Sequence, residues 1–290
     1  MKPRALRALS FATLALAISS AAAVVWLGGL LAEPQLQPVG APPAELGCAV
    51  VAFPSASGSR IRGWLCPAAA HRGSVLLLPG VRANRLSMVE RARFLHRAGY
   101  TVLLIDFQGT GESPGDHITF GWLESRDARA AVDFLRTARP GEPVAVIGSS
   151  LGGAASVLAD PPLPIDALVL EAVYPTIERA TENRLSLRFG PAGRLAAPLL
   201  LVQFPFRLGV GTGALHPVDR IGSLRIPLLI ISGSEDRHTT REDTLLLYGK
   251  AQPPKFLWLV PGAAHVDLHK FAGAEYERRV LTFLTRALVK

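Results

Sequence analysis

The sequence GSSLG at positions 148–152 fits the pattern G-x-S-x-G and directly follows an apolar run, Val144–Ile147. In this pattern the central serine lies on a sharp turn from a strand into a helix, and the turn needs small residues beside it. The turn exposes the serine hydroxyl for nucleophilic attack. Ser150 is therefore the candidate nucleophile, and its neighbour Ser149 is a rival that lacks the flanking glycines.

A serine hydroxyl needs a base to take its proton, and histidine commonly serves as that base. Among the seven histidines, His265 follows the last apolar run of the chain in a loop of small residues, PGAAH. Such a loop leaves room for an exposed imidazole. His265 is therefore predicted to be the base, whereas His238 and His269 flank other candidate positions.

The base in turn needs a carboxylate that fixes its tautomer and stabilises its positive charge. The apolar run Leu228–Ser232 ends in the sequence GSED, which offers Glu235 and Asp236. Asp236 has the better spacing from the glycine that ends the run, so it is predicted to be the acid. Asp243 and Glu171 are the fallback carboxylates.

Acyl transfer to a serine creates an oxyanion, which needs preorganised N–H donors. One donor is expected to be Leu151 N–H, at the start of the helix after the nucleophile. The other is expected from the loop 79–84, which follows the apolar run Ser74–Leu78, with Val81 N–H as the best candidate. Gly80 lets this backbone approach a substrate closely. A plain turn is the competing interpretation of the loop.

Short apolar runs alternate with longer amphipathic runs along most of the chain. The predicted strands are Ala49–Phe53, Ile61–Leu65, Ser74–Leu78, Thr101–Ile105, Val144–Ile147, Ala167–Leu170, Leu228–Ser232 and Phe256–Val260. The predicted helices are Leu86–Ala98, Trp122–Thr137, Leu151–Ala159, Thr240–Lys250 and Ala274–Val289. This alternation predicts an α/β fold, with a mostly parallel sheet that has helices on both faces. The segment 175–222 is a long insertion between two strands, and its part Leu195–Leu208 is strongly apolar.

The first 32 residues form a separate segment. Lys2, Arg4 and Arg7 precede Ala8–Ala32, which contains no charged residue and would span roughly 37 Å as a helix, at about 1.5 Å per residue. A cleaved signal peptide has a shorter apolar region, about 7–15 residues, that ends in a small-x-small site. The segment 1–32 is therefore predicted to be an uncleaved membrane anchor, and a cleaved signal is the alternative.

Positive residues before a membrane span tend to stay in the cytoplasm, so the domain 47–290 is expected on the other side of the membrane. The domain is anchored there or, if the signal is cleaved, secreted or periplasmic. The prolines of the segment 33–46 predict an extended tether.

Cys48 and Cys66 flank two strands that would pair as a hairpin centred on Ser57, and this register would place the two cysteines opposite each other. A disulfide is one interpretation of the pair. Two free thiols are the other, because a slip of one residue would separate them. An oxidised pair would support an exported domain.

Several stretches between Cys48 and Lys290 resemble the α/β-hydrolase superfamily, particularly its membrane-associated bacterial members of the serine aminopeptidase-like and BEM46-like group. They are Leu78–Gly80, Asp106–Ser113, Gly148–Gly152, Gly233–Asp236 and Gly262–His265. The resemblance implies eight strands, the second of them antiparallel, and a variable cap inserted after the sixth. It also implies that the stretch starting at Asp106 is a structural loop. Pro79 departs from the pattern, since relatives usually have histidine there.

The combined features predict a serine hydrolase that cleaves an ester, thioester or amide through an acyl-enzyme on Ser150. A small-molecule or lipid-like ester is the expected substrate, because the apolar part of the insertion could line an acyl pocket or lie on the membrane. No metal or organic cofactor is implied. Lys and Arg exceed Asp and Glu by 31 to 23, but the excess is scattered, which argues against nucleic-acid binding. Two other classes stay open: a catalytically silent binding module and an anchored partner in an envelope complex.

Overall fold

The computed structural model describes residues 3–288, and the side chains of these residues except 3–10, 16 and 17. Lys2 and Val289 therefore lie outside the described residues, as do the side chains of Arg4 and Arg7. The strands of the main sheet are β1 Ala49–Pro54, β2 Arg60–Cys66, β3 Ser74–Leu78, β4 Thr101–Ile105, β5 Val144–Ser149, β6 Ala167–Glu171, β7 Leu228–Gly233 and β8 Lys255–Val260. The helices are α1 Pro3–Ala32, α2 Val89–Arg97, α3 Trp122–Ala138, α4 Leu151–Leu158, α5 Ile177–Phe189, α6 Ala192–Leu201, α7 Phe204–Leu208, α8 Pro217–Arg220, α9 Arg241–Lys250, α10 Leu268–Ala272 and α11 Ala274–Leu288.

The eight strands form one sheet in the order β8-β7-β6-β5-β3-β4-β2-β1. All neighbouring strands are parallel except β2, which is antiparallel to both β1 and β4. Residues of β3 alternate between two cores: Leu76 and Leu78 pack with residues of α3 and α4, whereas Val75 and Leu77 pack with residues of α2 and α11. Because both faces are buried, these strands are apolar throughout. The predicted α/β fold is confirmed.

The carboxyl ends of the parallel strands lie together at one edge of the sheet, where open α/β sheets bind their ligands. At this edge β5 leads into α4, and β7 and β8 each lead into a loop. The helices α5 to α8 lie between β6 and β7 in the chain and form a cap. The cap is therefore inserted after the sixth strand, as the resemblance implied.

The helix predicted to begin at Leu86 begins only at Val89. Arg85–Met88 forms a 3₁₀ turn, and Asn84 Oδ1 caps it by accepting a hydrogen bond from Leu86 N–H at 2.9 Å. A side-chain cap satisfies an N–H group that would otherwise lack a partner at the start of a helix. Because α2 begins late, residues 79–84 form an irregular loop beside β5.

The N-terminal helix α1 contains a stretch, Phe11–Ala32, that is long and apolar enough to cross a membrane, with 22 residues and a mean hydropathy of 2.1. Within the predicted tether 33–46, Gln35 and Leu36 are extended and lie along the loop after β4, where Gln35 N–H donates to Gly109 O at 2.7 Å. Ala44–Leu46 forms a 3₁₀ turn instead. Val39 in the same segment is buried in one of the two cores. The chain is thus held against the domain immediately after α1.

A disulfide joins Cys48 and Cys66. In the hairpin of β1 and β2, Ala49 lies opposite Leu65, so the two cysteines lie at the next pair of positions. This register is the one that a hairpin centred on Ser57 predicts. The disulfide closes the open end of the hairpin at the edge of the sheet.

Candidate active site

Ser150 occupies the turn between β5 and α4 with φ 47° and ψ −106°, backbone angles that residues with a side chain rarely adopt. Its N–H donates to Glu171 O at 2.7 Å. A Cβ on Gly148 would lie 2.5 Å from the backbone of α4, and a Cβ on Gly152 would lie 2.4 Å from Leu78 O. Only glycine fits these two positions, so the motif lets β3, β5 and α4 meet around the strained serine.

Two main-chain N–H groups lie beside Ser150. Val81 and Leu151 line the same cavity as Ser150, and no hydrogen bond among the described residues engages the N–H group of either one. Gly80 brings the loop close, since a Cβ on it would lie 3.8 Å from Ser150 Cβ. Both N–H groups are therefore available to an oxyanion that forms at this point.

Asp236 and His265 are joined at the ends of β7 and β8, with His265 Nδ1 2.7 Å from Asp236 Oδ2. Because an ionised carboxylate only accepts hydrogen bonds, Nδ1 carries the proton and Nε2 is left free to accept one. Thr239 also donates to Asp236, through N–H at 2.9 Å and through its hydroxyl at 2.7 Å. Burial by itself raises the pKa of Asp236, but His265 and Thr239 hold that pKa below its ordinary value. The buried Asp236 is therefore ionised near neutral pH.

The described residues show no hydrogen bond between Ser150 Oγ and His265. Arg184 of the cap lines the cavity with Ser150, and its charge also interacts with that of Asp236. The hydrogen bond between a nucleophilic serine and its histidine base is often long in unliganded sites and shortens when substrate binds.

A sequence model of the family described as serine aminopeptidase, S33, matches residues 69–209, a stretch that includes Ser150 and ends before Asp236. An uncharacterized protein of Mycobacterium tuberculosis strain H37Rv is 30% identical over 236 residues, which cover 80% of this chain and 77% of that protein. The chain belongs to the α/β-hydrolase superfamily. The superfamily predicted from the motifs is therefore confirmed.

Two further relatives agree with this assignment. The α/β hydrolase domain-containing protein WAV2 of Arabidopsis thaliana is 28% identical over 245 residues, which cover 80% of this hydrolase and 77% of WAV2. An esterase of Pyrococcus furiosus superposes with a TM-score of 0.74 over 89% of this hydrolase and 99% of the esterase, at 21% identity. At 21% identity, the likeness to the esterase supports the fold of this chain and no more. Membership of the superfamily supports a hydrolase activity.

The other carboxylates near the site of this hydrolase differ from Asp236 in their surroundings. Glu235 is exposed to solvent. Asp243 pairs with Arg179 of the cap at 3.1 Å. Glu171 is buried and accepts two hydrogen bonds from Arg91, at 3.0 and 2.8 Å. Among the four candidate carboxylates, Asp236 is the one that contacts His265.

Sequence reasoning gave His238 no role, yet its ring lies 4.9 Å from the ring of His265, measured between centroids. Burial, followed by the positive charges of His265 and Arg184, holds the pKa of His238 below its ordinary value. A neutral His238 does not repel the charge that His265 acquires when it takes a proton. Its position two residues after Asp236 is the sequence signal that could have drawn attention to it.

The stretch beginning at Asp106 supports the loop that carries Val81. Arg85, at the end of that loop, donates its N–H to Asp106 Oδ1 at 2.8 Å, and its guanidinium group pairs with the carboxylates of Asp106 and Glu112. Burial raises the pKa of Asp106. These contacts agree with the structural role that the resemblance implied for the stretch.

A cavity of about 600 Å³ opens above Ser150. Its volume lies within the range of about 300–1,000 Å³ that is typical of small-molecule pockets. Its walls come from the cap, from the loop with Val81 and from the last turns of α1. Within the described part of the chain, no cluster of three or more His, Cys, Asp or Glu side chains is placed to hold a metal ion.

Proposed function

We propose that this α/β hydrolase is a serine hydrolase that cleaves carboxylic esters through an acyl-enzyme on Ser150. The observation that carries the proposal is the strained turn of Ser150, with two unengaged N–H groups beside it. The hydrogen-bonded pair of Asp236 and His265, two and three strands away in the same sheet, supplies the base and the group that orients it.

In the first half of the reaction Ser150 Oγ attacks the ester carbonyl carbon, and its proton passes to His265 Nε2. The carbonyl oxygen becomes an oxyanion that accepts hydrogen bonds from Val81 N–H and Leu151 N–H. When the tetrahedral intermediate collapses, the bond to the alcohol oxygen breaks and the alcohol leaves with the proton from His265. Asp236 stays ionised and stabilises the imidazolium in the meantime.

In the second half a water molecule gives a proton to His265, and its oxygen attacks the acyl carbon. The bond to Ser150 Oγ breaks, and Ser150 recovers its proton from His265. The carboxylic acid leaves, so the enzyme returns to its starting state and the net reaction consumes one water molecule.

The charges of the cavity favour an ester over an aminopeptidase substrate. Among the described residues that line the cavity, the charged side chains are those of Arg82, Arg184, Arg188 and Arg207, and none is an aspartate or glutamate. An aminopeptidase must hold the ammonium group of its substrate, which these arginines repel. The remaining lining is mostly apolar, which suits the hydrocarbon part of an ester.

A labelled fluorophosphonate probe and p-nitrophenyl butyrate test the proposal on the purified full chain. We expect the wild type to be labelled and to hydrolyse the ester, the Ser150→Ala variant to do neither, and the matched Ser149→Ala variant to keep both activities. Leucine p-nitroanilide should be a poor substrate. An unlabelled wild type would favour the silent binding module instead. Equal labelling of Ser150→Ala would mean that a residue other than Ser150 is the nucleophile. Faster cleavage of the anilide than of the ester would make the enzyme an aminopeptidase.

We further propose that α1 anchors the hydrolase in a membrane and that the domain lies outside the cytoplasm. The length and hydropathy of Phe11–Ala32 support the anchor. The disulfide of Cys48 and Cys66 supports the compartment, because disulfides persist where the environment is oxidising. A periplasmic phosphatase fused to the C-terminus should be active in cells and should sediment with membranes. A silent reporter in a correctly expressed fusion would place the domain in the cytoplasm, and activity in the soluble fraction would indicate a cleaved signal.

A further inference from the structure

The last turns of α1 form one wall of the cavity above Ser150. Leu27, Leu30 and Leu31 of α1 line it, and the facing wall belongs to the cap. The apolar cap residues on that wall include Leu200, Leu201, Phe204 and Leu208. The cavity is therefore shared between the catalytic domain and the helix that is long enough to cross a membrane.

The end of α1 is fixed to the domain by side chains that bind its main chain. The bonds run from Gln203 Nε2 to Val24 O at 3.0 Å, from Arg207 Nη2 to Val25 O at 2.9 Å and from Arg82 Nη2 to Leu30 O at 3.1 Å. Gly28 permits the close approach of the cap, since a Cβ there would lie 2.6 Å from Gln203 Oε1. Leu27 also packs against Leu185 and Leu200 of the cap. The helix is thus a structural part of the pocket.

The cap carries an apolar stripe on its outer side, next to α1. Its members are Leu195, Leu199, Val202 and Phe206, which are 81%, 55%, 63% and 91% exposed. Leu195 and Leu199 lie one turn apart on the same face of α6, Val202 directly follows that helix, and Phe206 lies on α7. The neighbouring residues Ala197, Leu200 and Leu201 are buried against the domain.

The helix α1 also exposes large apolar side chains, among them Phe11, Leu14, Ile18 and Trp26. The helix α1 packs against α6, so both surfaces belong to one region of the molecule. Large apolar side chains at this exposure are costly in water and favourable in hydrocarbon. A bilayer that holds α1 is therefore the occupant that fits the stripe.

We propose that α1 is a wall of the acyl pocket and that the substrate is an ester with an aliphatic chain that resides in the bilayer. The chain enters between α1 and the cap and lies along Leu27, Leu30 and Leu31, which places its carbonyl group at Ser150. This proposal rests on the proposed function, since it assumes that Ser150 attacks that carbonyl. It also requires α1 to remain attached, because cleavage after α1 would remove one wall of the pocket.

The test measures chain-length preference with the full chain in phosphatidylcholine and phosphatidylglycerol vesicles. The readout is the ratio of kcat/KM for p-nitrophenyl palmitate to that for p-nitrophenyl butyrate. Leu31→Trp fills the pocket and should lower the ratio about tenfold, whereas Leu27→Ala widens the pocket and should raise it. Leu14→Trp, on the exposed part of the same helix, is the matched control and should leave the ratio at the wild-type value.

Loss of folding would lower both rates together, so the opposite movements of the ratio report on the pocket itself. If Leu31→Trp and Leu27→Ala both give the same ratio as Leu14→Trp, α1 is not a wall of the acyl pocket. Fluorophosphonate labelling of every variant distinguishes this result from a failure of the proposed function. An unlabelled wild type would contradict the proposed function. A labelled wild type, with variant ratios that do not change, would contradict only the proposal that α1 is a wall of the pocket.

A second pair of variants tests entry from the bilayer. Phe206→Glu puts a charge on the stripe, where it would have to enter hydrocarbon, so the ratio for palmitate over butyrate should fall. Leu245→Glu changes an exposed leucine of α9, outside the stripe, and should keep the ratio. Equal ratios in these two variants would mean that the substrate does not pass along the stripe.

Discussion

Oδ2 of Asp236 lies 2.7 Å from Nδ1 of His265, although the two residues are 29 positions apart in the chain. The contact forms because β7 and β8 are neighbouring parallel strands, and each residue follows the carboxyl end of one of them. The carboxylate is buried, whereas the histidine side chain is 24% exposed. This asymmetry fixes one nitrogen of the ring and leaves the other for proton transfer.

Replacing Asp236 by Asn tests the importance of that contact. An amide can still contact Nδ1, but it no longer requires the tautomer in which Nε2 accepts a proton, so we expect kcat to fall by about 10³- to 10⁴-fold. Steady-state kinetics with p-nitrophenyl butyrate measure the effect. Glu235→Gln, at the exposed neighbour of Asp236, is the control and should retain wild-type kcat. A large loss in Glu235→Gln with wild-type kcat in Asp236→Asn would make Glu235 the acid instead.

The turn around Ser150 makes a second prediction, about Gly152. A methyl group at this position would lie 2.4 Å from Leu78 O, and a backbone atom can only yield if α4 moves away from β3. We expect Gly152→Ala to reduce the free energy of unfolding by about 1–3 kcal/mol and to lower kcat/KM. Chemical denaturation in detergent and ester hydrolysis measure the two effects.

The control for Gly152 is Gly249→Ala in α9, where an added Cβ has no heavy atom within 4 Å. There the substitution should stabilise the protein, by about 0.5–1 kcal/mol, because alanine favours the helix. Equal and small effects at both positions would mean that the turn tolerates a side chain and that the motif is not set by close contact.

The strands of the fold could be predicted well from the sequence. For β3 and β4 the predicted and observed ranges coincide, because strands buried on both faces are marked by continuous apolar runs. The hairpin register was also predictable from its turn. The start of α2 was wrong by three residues, since the cap at Asn84 depends on a local turn that the apolar pattern does not mark.

Ser150, Asp236 and His265 could be predicted as site residues because each lies in a short motif that directly follows an apolar run, and such motifs are local in the sequence. Arg184 was missed as a neighbour of the site because it reaches the loop after β7 from the cap. His238 lies in that loop, but its contact with His265 forms only when the loops after β7 and β8 come together. The contact between α1 and the cap joins residues such as Val24 and Gln203, 179 positions apart. Such long-range pairs are set by tertiary packing, and neither periodicity nor spacing in a single sequence encodes them.

Buried charge beside the turn of Ser150 makes a third prediction. Arg91 holds Glu171 with two hydrogen bonds, and both side chains are nearly inaccessible, at 2% and 1% exposure. Removing one partner leaves the other charge buried and unpaired, so Arg91→Met should lower the free energy of unfolding by about 3–5 kcal/mol. Denaturant unfolding measures this loss.

Two further variants show whether the unpaired charge is the cause. Arg97→Met removes a 66% exposed arginine that lies 3.8 Å from Glu277, and it should cost less than about 1 kcal/mol. Adding Glu171→Gln to Arg91→Met should recover part of the lost stability, because the glutamine carries no charge. If the double variant is even less stable than Arg91→Met, the loss of unfolding free energy comes from lost packing and not from the unpaired charge.

The last prediction concerns pH and the buried Asp127 of α3. Ser55 Oγ donates to its Oδ1 at 2.6 Å and Gln108 N–H to its Oδ2 at 2.9 Å. Burial is the largest influence, and with the nearby charge of Glu124 it outweighs these donors and raises the pKa of Asp127 to about 6. The ordinary pKa of an aspartate in an unfolded chain is about 3.9.

Between these two values the folded protein binds more protons at this site than the unfolded chain. Stability from Asp127 is therefore fully present below about pH 4 and is lost as the pH rises to about 6, by roughly 3 kcal/mol in total. Asp127→Asn removes this titration, so the difference in unfolding free energy, wild type minus variant, should fall between pH 4 and pH 7. Denaturant unfolding at a series of pH values measures it, with Asp133→Asn at an exposed position of α3 as control. A difference that is constant over this range would show that Asp127 is ionised in the folded protein throughout. An equal slope in the control would show that the pH dependence does not come from Asp127.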